Sequence, residues 1–325
     1  MHASPLLPPT LADLRDAQAR IAPFAHRTPV LTCAAIDARA GDGCRVFLKC
    51  ENLQKVGAFK FRGACNAVFA LPDTLARRGV VCHSSGNHAQ ALALAARLRG
   101  ITAHIVMPRT APAVKQAAVA SYGGRITLCE PTLQAREDTQ ARVIADTGAT
   151  EIHPFNNPFV IAGQGTAALE LLEDHPDLDA VIAPVGGGGL LSGTAIAATS
   201  LKPGIRVLGA EPALADDAAR SITAGRPLPA LPPRTIADGL LTGLSDLTFG
   251  IIRDRVASIL TVPEDAIIDA MRFVYERAKI VIEPSAAVGF AALFAREPDL
   301  RGRKIGIIVC GGNVDLDRLP WQRPA

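Results

Sequence analysis

The stretch Gly79-Val80-Val81-Cys82-His83-Ser84-Ser85-Gly86-Asn87-His88, followed by the alanine-rich run 89–98, decides the fold class. Its apolar start is too short for a helix and reads as a buried strand. The hydroxyl and amide residues after it are turn and cap types, and the alanines that follow favour helix. The same strand-then-helix unit recurs downstream, as 103–107 before 113–121 and as 125–129 before 133–145. Such units in close succession predict a small parallel sheet with right-handed crossovers.

Toward the N-terminus, Leu11, Leu14, Ala17 and Ile21 have helical spacing, with Thr10 as N-cap. Residues 28–31 read as extended, 46–49 as a strand and 64–71 as a helix. Toward the C-terminus a second series starts near Ile161, with a helix over 165–172. A strand at 180–185 runs into Gly186-Gly187-Gly188-Gly189 and a helix over 190–199. A strand at 206–210 ends at Glu211, and a proline- and glycine-rich loop spans 225–250. Helices at 265–278 and 285–294 precede a last strand, 304–309, which runs into Cys310-Gly311-Gly312-Asn313. The expected architecture is α/β with two lobes, each a three-layer αβα parallel sheet. The large lobe is residues 1–75 and 157–325, and the small lobe, 76–156, is inserted in it.

Composition narrows the function classes. Of 325 residues, 49% are hydrophobic and 20% charged, enough for a substantial core. The net charge of +3, without a basic block, and an aromatic content of 4% argue against a nucleic-acid partner. Seven cysteines, an odd number without CxxC spacing, fit reduced thiols in the cytoplasm. The first ten residues lack a secretory pattern, and no apolar run is long enough to span a membrane.

Three stretches carry chemistry. In Gly57-Ala58-Phe59-Lys60-Phe61-Arg62-Gly63, Lys60 lies in a mostly apolar run near a helix start. Desolvation and the positive end of the helix dipole both favour its neutral amine, which can form an imine with an aldehyde. The tetraglycine between a strand and a helix can close backbone N–H groups around a phosphate, though it has neither dinucleotide nor Walker spacing; a tight turn is the alternative. Ser84-Ser85-Gly86-Asn87-His88 offers N–H groups to a carboxylate; an ordinary helix cap is the alternative. An imine-forming lysine, a phosphate cradle and a carboxylate loop together point to pyridoxal 5'-phosphate acting on a small-molecule amino acid.

From about residue 10 to residue 315 the chain resembles the tryptophan-synthase-like, fold type II pyridoxal-phosphate enzymes. It is most similar to the serine racemase and serine/threonine dehydratase branch, which includes threo-3-hydroxyaspartate dehydratases. The likeness rests on the lysine and serine motifs above, Ala162-Gly163-Gln164-Gly165-Thr166, Gly186 to Gly189, Ile236-Ala237-Asp238-Gly239 and Cys310-Gly311-Gly312-Asn313. It implies that Lys60 is the Schiff-base lysine and the base for the α-proton, and that Phe59 packs on the pyridine ring. It implies that Asn87 bonds the phenolic oxygen, and that Gly186, Gly187, Gly188 and Gly189 hold the phosphate. Ser84, Ser85, Asn87 and His88 would receive the substrate carboxylate, and Arg136 a second carboxylate such as that of 3-hydroxyaspartate; a surface arginine is the alternative for Arg136. Cys310 stands where this branch more often has serine. A thiol of ordinary pKa, about 8.5, offers the ring nitrogen only a weak hydrogen bond, which disfavours a long-lived carbanion and favours prompt loss of a β-hydroxyl.

The resemblance also implies a divalent-cation site of Glu211 and Asp217 carboxylates and the Ala215 carbonyl, suited to Mg²⁺, or to Ca²⁺ or Mn²⁺. A solvated acidic loop is the alternative. Lys55 and Lys115 match positions near a nucleotide effector site of animal serine racemases. A homodimer is expected from the family. The sequence ends soon after Asn313, so a C-terminal regulatory domain is not expected. The resulting expectation is an ammonia-lyase that converts L-serine, L-threonine or 3-hydroxyaspartate to a 2-oxo acid and ammonia. An amino-acid racemase with side elimination is the alternative, kept open by Ser85, which in racemase-like members can return a proton from the opposite face. A helix cap is the bland role for Ser85. A cofactor-storage module is the third possibility.

Overall fold

The computed structural model describes residues 6–41, 43–230, 232, 234–295 and 300–322. The chain starts with α1 (Leu11–Ile21), β1 (Val30–Leu31), α2 (Ala34–Ala40), β2 (Arg45–Cys50), α3 (Lys60–Ala70) and α4 (Asp73–Ala76). Next come β3 (Val80–His83), α5 (Asn87–Arg99), β4 (Ala103–Pro108), α6 (Ala113–Ser121), β5 (Arg125–Cys129), α7 (Leu133–Thr147) and β6 (Thr150–Glu151). Then follow α8 (Pro158–Asp174), β7 (Ala180–Pro184), α9 (Gly189–Leu201), β8 (Arg206–Pro212), α10 (Asp217–Ala224) and α11 (Asp246–Arg255). The last elements are β9 (Ser258–Val262), α12 (Glu264–Ala278), α13 (Pro284–Phe294) and β10 (Lys304–Val309).

Two sheets result. One has six strands in the order β1-β2-β10-β7-β8-β9, and the other four, β5-β4-β3-β6. All pairings are parallel except β1 with β2. The buried strands β7 and β10 read as unbroken apolar runs, as both faces are covered by helices. Thr10 caps α1 through a reciprocal bond with Asp13.

Three expectations needed correction. The 225–250 loop contains the start of α11, capped by Ser245, because helical packing of Leu247, Ile251 and Ile252 overrides the local proline and glycine signal. The helix expected over 165–172 begins at Pro158, where Asn157 caps it. The helix expected from Ala64 begins at Lys60.

Helix α8 lies between α3 and α9, and its glycines explain the Ala162-Gly163-Gln164-Gly165-Thr166 motif. A Cβ on Gly163 would come 2.6 Å from the Arg62 carbonyl, and one on Gly165 2.8 Å from the Gly193 carbonyl. Backbone therefore touches backbone on both sides of α8. The Gln164 side chain accepts from the Gly63 N–H at 3.2 Å.

Beneath α3 lies a buried ionic cluster. Arg62, fully buried, bonds Glu51 and Glu170, and Lys49 bonds Glu170 at 2.6 Å. Arg62 also donates to the Thr166 hydroxyl and the His26 carbonyl, and Thr28 donates to Glu51. Two cations face two carboxylates, so the desolvation cost of each charge is offset by partners. Burial alone would raise the Glu51 carboxyl, but the Arg62 guanidinium holds it below its usual range. The cluster pins the first turn of the helix that begins with Lys60.

Candidate active site

The site is built where the carboxyl ends of β7 and β10 lie side by side, the usual binding edge of a parallel sheet. Residues 310–313 leave β10 and are stitched to the lysine turn. The Phe59 N–H donates to the Cys310 carbonyl at 2.9 Å, the Gly312 N–H donates to the Gly57 carbonyl at 2.9 Å, and Ala58 bridges Gly311. Lys60 follows as the first residue of α3. Its Nζ donates to the Pro154 carbonyl at 3.2 Å and lies 5.1 Å from the Phe59 ring centre. Burial pushes the amine down to about 8, although Cys310 and Glu283 act to raise it.

The tetraglycine joins β7 to α9. Gly188 is the N-cap, with φ of 86°, a left-handed value that favours glycine. A Cβ on Gly187 would lie 2.3 Å from the Phe155 ring. This loop opens on a cavity whose walls include Phe59, Asn87, Phe155, Leu240, Glu283 and Cys310. Backbone N–H groups at the start of a 13-residue helix suit a phosphate, and side chains there would fill the cradle. Cys310 is buried, and burial pushes its thiol well above the ordinary range, so it stays protonated at neutral pH.

Across the cavity, α5 starts at Asn87. Gly86 is its N-cap, and no side chain caps it. Ser85 therefore has no capping role. Ser84 Oγ accepts from the Gly86 N–H at 3.3 Å. The Asn87 amide donates to both oxygens of Glu283 at 3.1 Å and accepts from Asn313 Nδ2 at 2.9 Å. Burial raises the Glu283 carboxyl to about 7.

His88 departs from expectation. Its ring is buried, with Nε2 2.7 Å from the Ile152 carbonyl, and burial pushes it down to about 3. The ring is neutral and turned into the protein, so a substrate carboxylate could meet only the backbone N–H of His88. That N–H, in the first turn of α5, has no intrahelical acceptor.

Arg136 is half-buried on α7, and its buried Nε has no hydrogen-bond partner. Its charge acts on His83, which ends β3 directly before Ser84. Glu211 is buried, and its oxygens accept from the Ala218 and Ala219 N–H groups at the start of α10. Asp217 is also buried, with one orphaned oxygen, Oδ2. Burial pushes Glu211 up to about 8 and Asp217 to about 6. Ala215 is buried beside them in sequence. The acidic segment is thus not a solvated loop, and a buried orphan carboxylate oxygen suits a hard cation. No group of three metal-binding side chains occurs among the described residues, so backbone and water oxygens would have to complete the shell.

Phe155 and Glu283 reach the site without having been singled out from the sequence, and Asn313, quoted only as the end of a motif, brings its side chain to it. Glu283 had a signal of a kind, an acid before a proline at a helix start. Phe155 had none, because its role depends on the distant glycines.

The chain is similar to proteins of related chemistry. It is 50% identical to the beta-hydroxyaspartate dehydratase of Paracoccus denitrificans, covering 97% of this chain and 99% of that one. It is 52% identical to a serine racemase of Oryza sativa subsp. indica, over 95% of this chain and 92% of that one. The solved structure of maize serine racemase matches with a TM-score of 0.93 at 51% identity, covering 97% of each chain. Residues 21–311 match the family model described as pyridoxal-phosphate dependent enzyme, and the chain belongs to that family.

Proposed function

We propose that this protein is a pyridoxal-phosphate dependent ammonia-lyase that converts a β-hydroxy amino acid to a 2-oxo acid and ammonia. The observation that carries this reading is the half-buried Lys60, whose amine is lowered to about 8 by desolvation, near a glycine-lined cavity that a protonated thiol also lines. When bound, the cofactor supplies an electron sink for charge that develops at the substrate α-carbon.

The chain's own residues do the rest. Gly186 to Gly189 hold the phosphate, and Phe59 packs against the ring. The Lys60 amine tethers the cofactor and then takes the α-proton, a role open to it because its pKa lies near the working pH. Ser84, Asn87 and the N–H groups at the start of α5 orient the substrate carboxylate. Cys310 keeps its proton and cannot act as an acid toward the ring nitrogen, so charge at the α-carbon is relieved by expulsion of the β-hydroxyl. Arg136 favours a β-hydroxy diacid, since its buried Nε lacks a partner. The beta-hydroxyaspartate dehydratase relative supports this choice of substrate.

A racemase is the second reading, favoured by Ser85, whose hydroxyl is not engaged as a helix cap, and by the serine racemase relatives. Glu211, Asp217 and the Ala215 carbonyl form the proposed Mg²⁺ site, which Ca²⁺ or Mn²⁺ would also suit. We further take residues 76–156 as a small lobe inserted in the large one, the protein as a homodimer, and its place as the cytoplasm. All seven cysteines are free, which supports the last point. Among the described residues no helix is long and apolar enough to cross a membrane.

The test is ammonia and 2-oxo acid release from serine, threonine and both 3-hydroxyaspartate diastereomers, with chiral analysis of recovered substrate. Lyase activity predicts ammonia release that Lys60→Ala abolishes. Recovered substrate that is racemised faster than ammonia appears, with Ser85→Ala losing only racemisation, would establish the second reading instead.

A further inference from the structure

We infer that Asn313 is a positioning residue for Lys60: it holds the left-handed turn that delivers the lysine and ties that turn to Asn87 across the cavity. Among the described residues only Val56 and Lys279 have positive φ without being glycine. Lys279 caps the end of α12, an ordinary place for that conformation. Val56 caps nothing. It is buried, with φ 58° and ψ 13°, just upstream of Lys60, and Gly57 follows at φ 69°. A β-branched residue disfavours this region, so its surroundings must hold it there.

Asn313 supplies that hold. Its Nδ2 donates to the Val56 carbonyl at 2.7 Å and to Asn87 Oδ1 at 2.9 Å. Its backbone N–H donates to Glu283 at 3.2 Å. The orientation of each amide follows from its partners. The Val56 carbonyl can only accept, so it faces the Asn313 Nδ2; that donor then meets the Asn87 Oδ1, which leaves the Asn87 Nδ2 to Glu283. A Cβ on Gly57 would lie 2.6 Å from Asn313 Oδ1, so the turn and the amide are packed face to face. Asn313 itself is exposed. Its truncation therefore opens no cavity in the core.

Without the amide, the turn is populated only part of the time, and apparent cofactor affinity falls by that fraction. Replacing Val56 by glycine makes the left-handed turn accessible without help. This inference rests on Lys60 being the attachment point, and the two can fail separately.

The experiment compares wild type, Asn313→Ala, Val56→Gly and the double variant, as purified cofactor-free proteins checked for cooperative melting. Pyridoxal phosphate affinity is read by absorbance titration, and the attachment point by borohydride reduction and peptide mapping. Asn313→Ala is expected to weaken binding about tenfold, Val56→Gly alone to change it less than about twofold, and the double variant to recover at least about threefold. Unchanged affinity in Asn313→Ala overturns the proposal. So does an equal loss with and without Val56→Gly, since the effect would then not run through the turn. Should Asn313→Ala not melt cooperatively, Asn313→Asp, which keeps the size and loses the donor, is read by the same criteria. An adduct absent from Lys60 in wild type would instead sink the attachment point itself.

Discussion

At the scale of single residues, the site depends on what burial does to an amine and a thiol. Lys60 titrates near 8 instead of 10.5, so it is an ammonium at low pH and a free amine above about pH 8. Its unfolded form binds the proton more tightly. The stability cost of burying it is therefore fully present below about pH 8 and fades as pH rises toward 10.5. Labelling of cofactor-free protein by pyridoxal phosphate and borohydride should rise with a midpoint near pH 8, and Lys60→Ala should take no label at this position. A midpoint near 10.5 would mean that the amine is not desolvated. Cys310 came from the family resemblance, whereas the lysine at a helix start and the tetraglycine after a strand were legible in the sequence because such features are local. His88 was not: nothing in its neighbours reveals that Ile152, far along the chain, takes its ring nitrogen. Phe155 was missed for the same reason, and Glu283 because an acid before a proline at a helix start does not reveal what it faces.

At the scale of elements, glycines decide how closely α8 approaches α3 on one side and α9 on the other. Gly163 lets α8 meet α3 backbone to backbone, and a Cβ would also come 2.7 Å from Gly63 Cα. Backbone cannot yield as a side chain can, so Gly163→Ala should cost about 1–3 kcal/mol by overpacking. Calorimetry should show a melting point lower by several degrees; an unshifted transition would mean that α8 can slide. Gly187→Ala meets a ring instead, at 2.3 Å. It should weaken pyridoxal phosphate binding about tenfold or more, and adding Phe155→Ala should restore part of that loss. If the second change restores nothing, the added methyl occupies phosphate space and not ring space. Strand and helix periodicity gave the central elements well, and the spans of α6, β5 and β10 agree with the expected ones. The two-residue strand β6 was invisible because so short a run carries no period, whereas β1 lies in the stretch 28–31 that reads as extended. Helix α11 hid behind the turn residues that precede it.

At the scale of the molecule, two sheets present strand ends to one cavity, and contacts cross it at few points. Asn87 reaches Glu283 and Asn313, Lys60 reaches the Pro154 carbonyl, and Lys115 on α6 pairs with Asp238 at 2.7 Å. The Lys115 pair is partly solvated and adds at most about 1 kcal/mol. It also engages the lysine that the family resemblance had placed near a nucleotide effector. Away from the cavity, β8 ends in Glu211 and Pro212, and α10 starts with Asp217. Two buried carboxyl groups, one with an orphaned oxygen, lie at this end of the large sheet, where the proposed cation site would couple metal binding to folding. A ligand that binds only the folded state adds about 2.7 kcal/mol at a hundred times its dissociation constant. Adding Mg²⁺ to chelator-treated protein should therefore raise its melting temperature, and Asp217→Ala should abolish the rise while leaving Lys60 open to labelling. An equal rise in Asp217→Ala would move the cation elsewhere on the molecule, and no rise in wild type with Mg²⁺, Ca²⁺ or Mn²⁺ would leave Glu211 as the cap of α10 and nothing more.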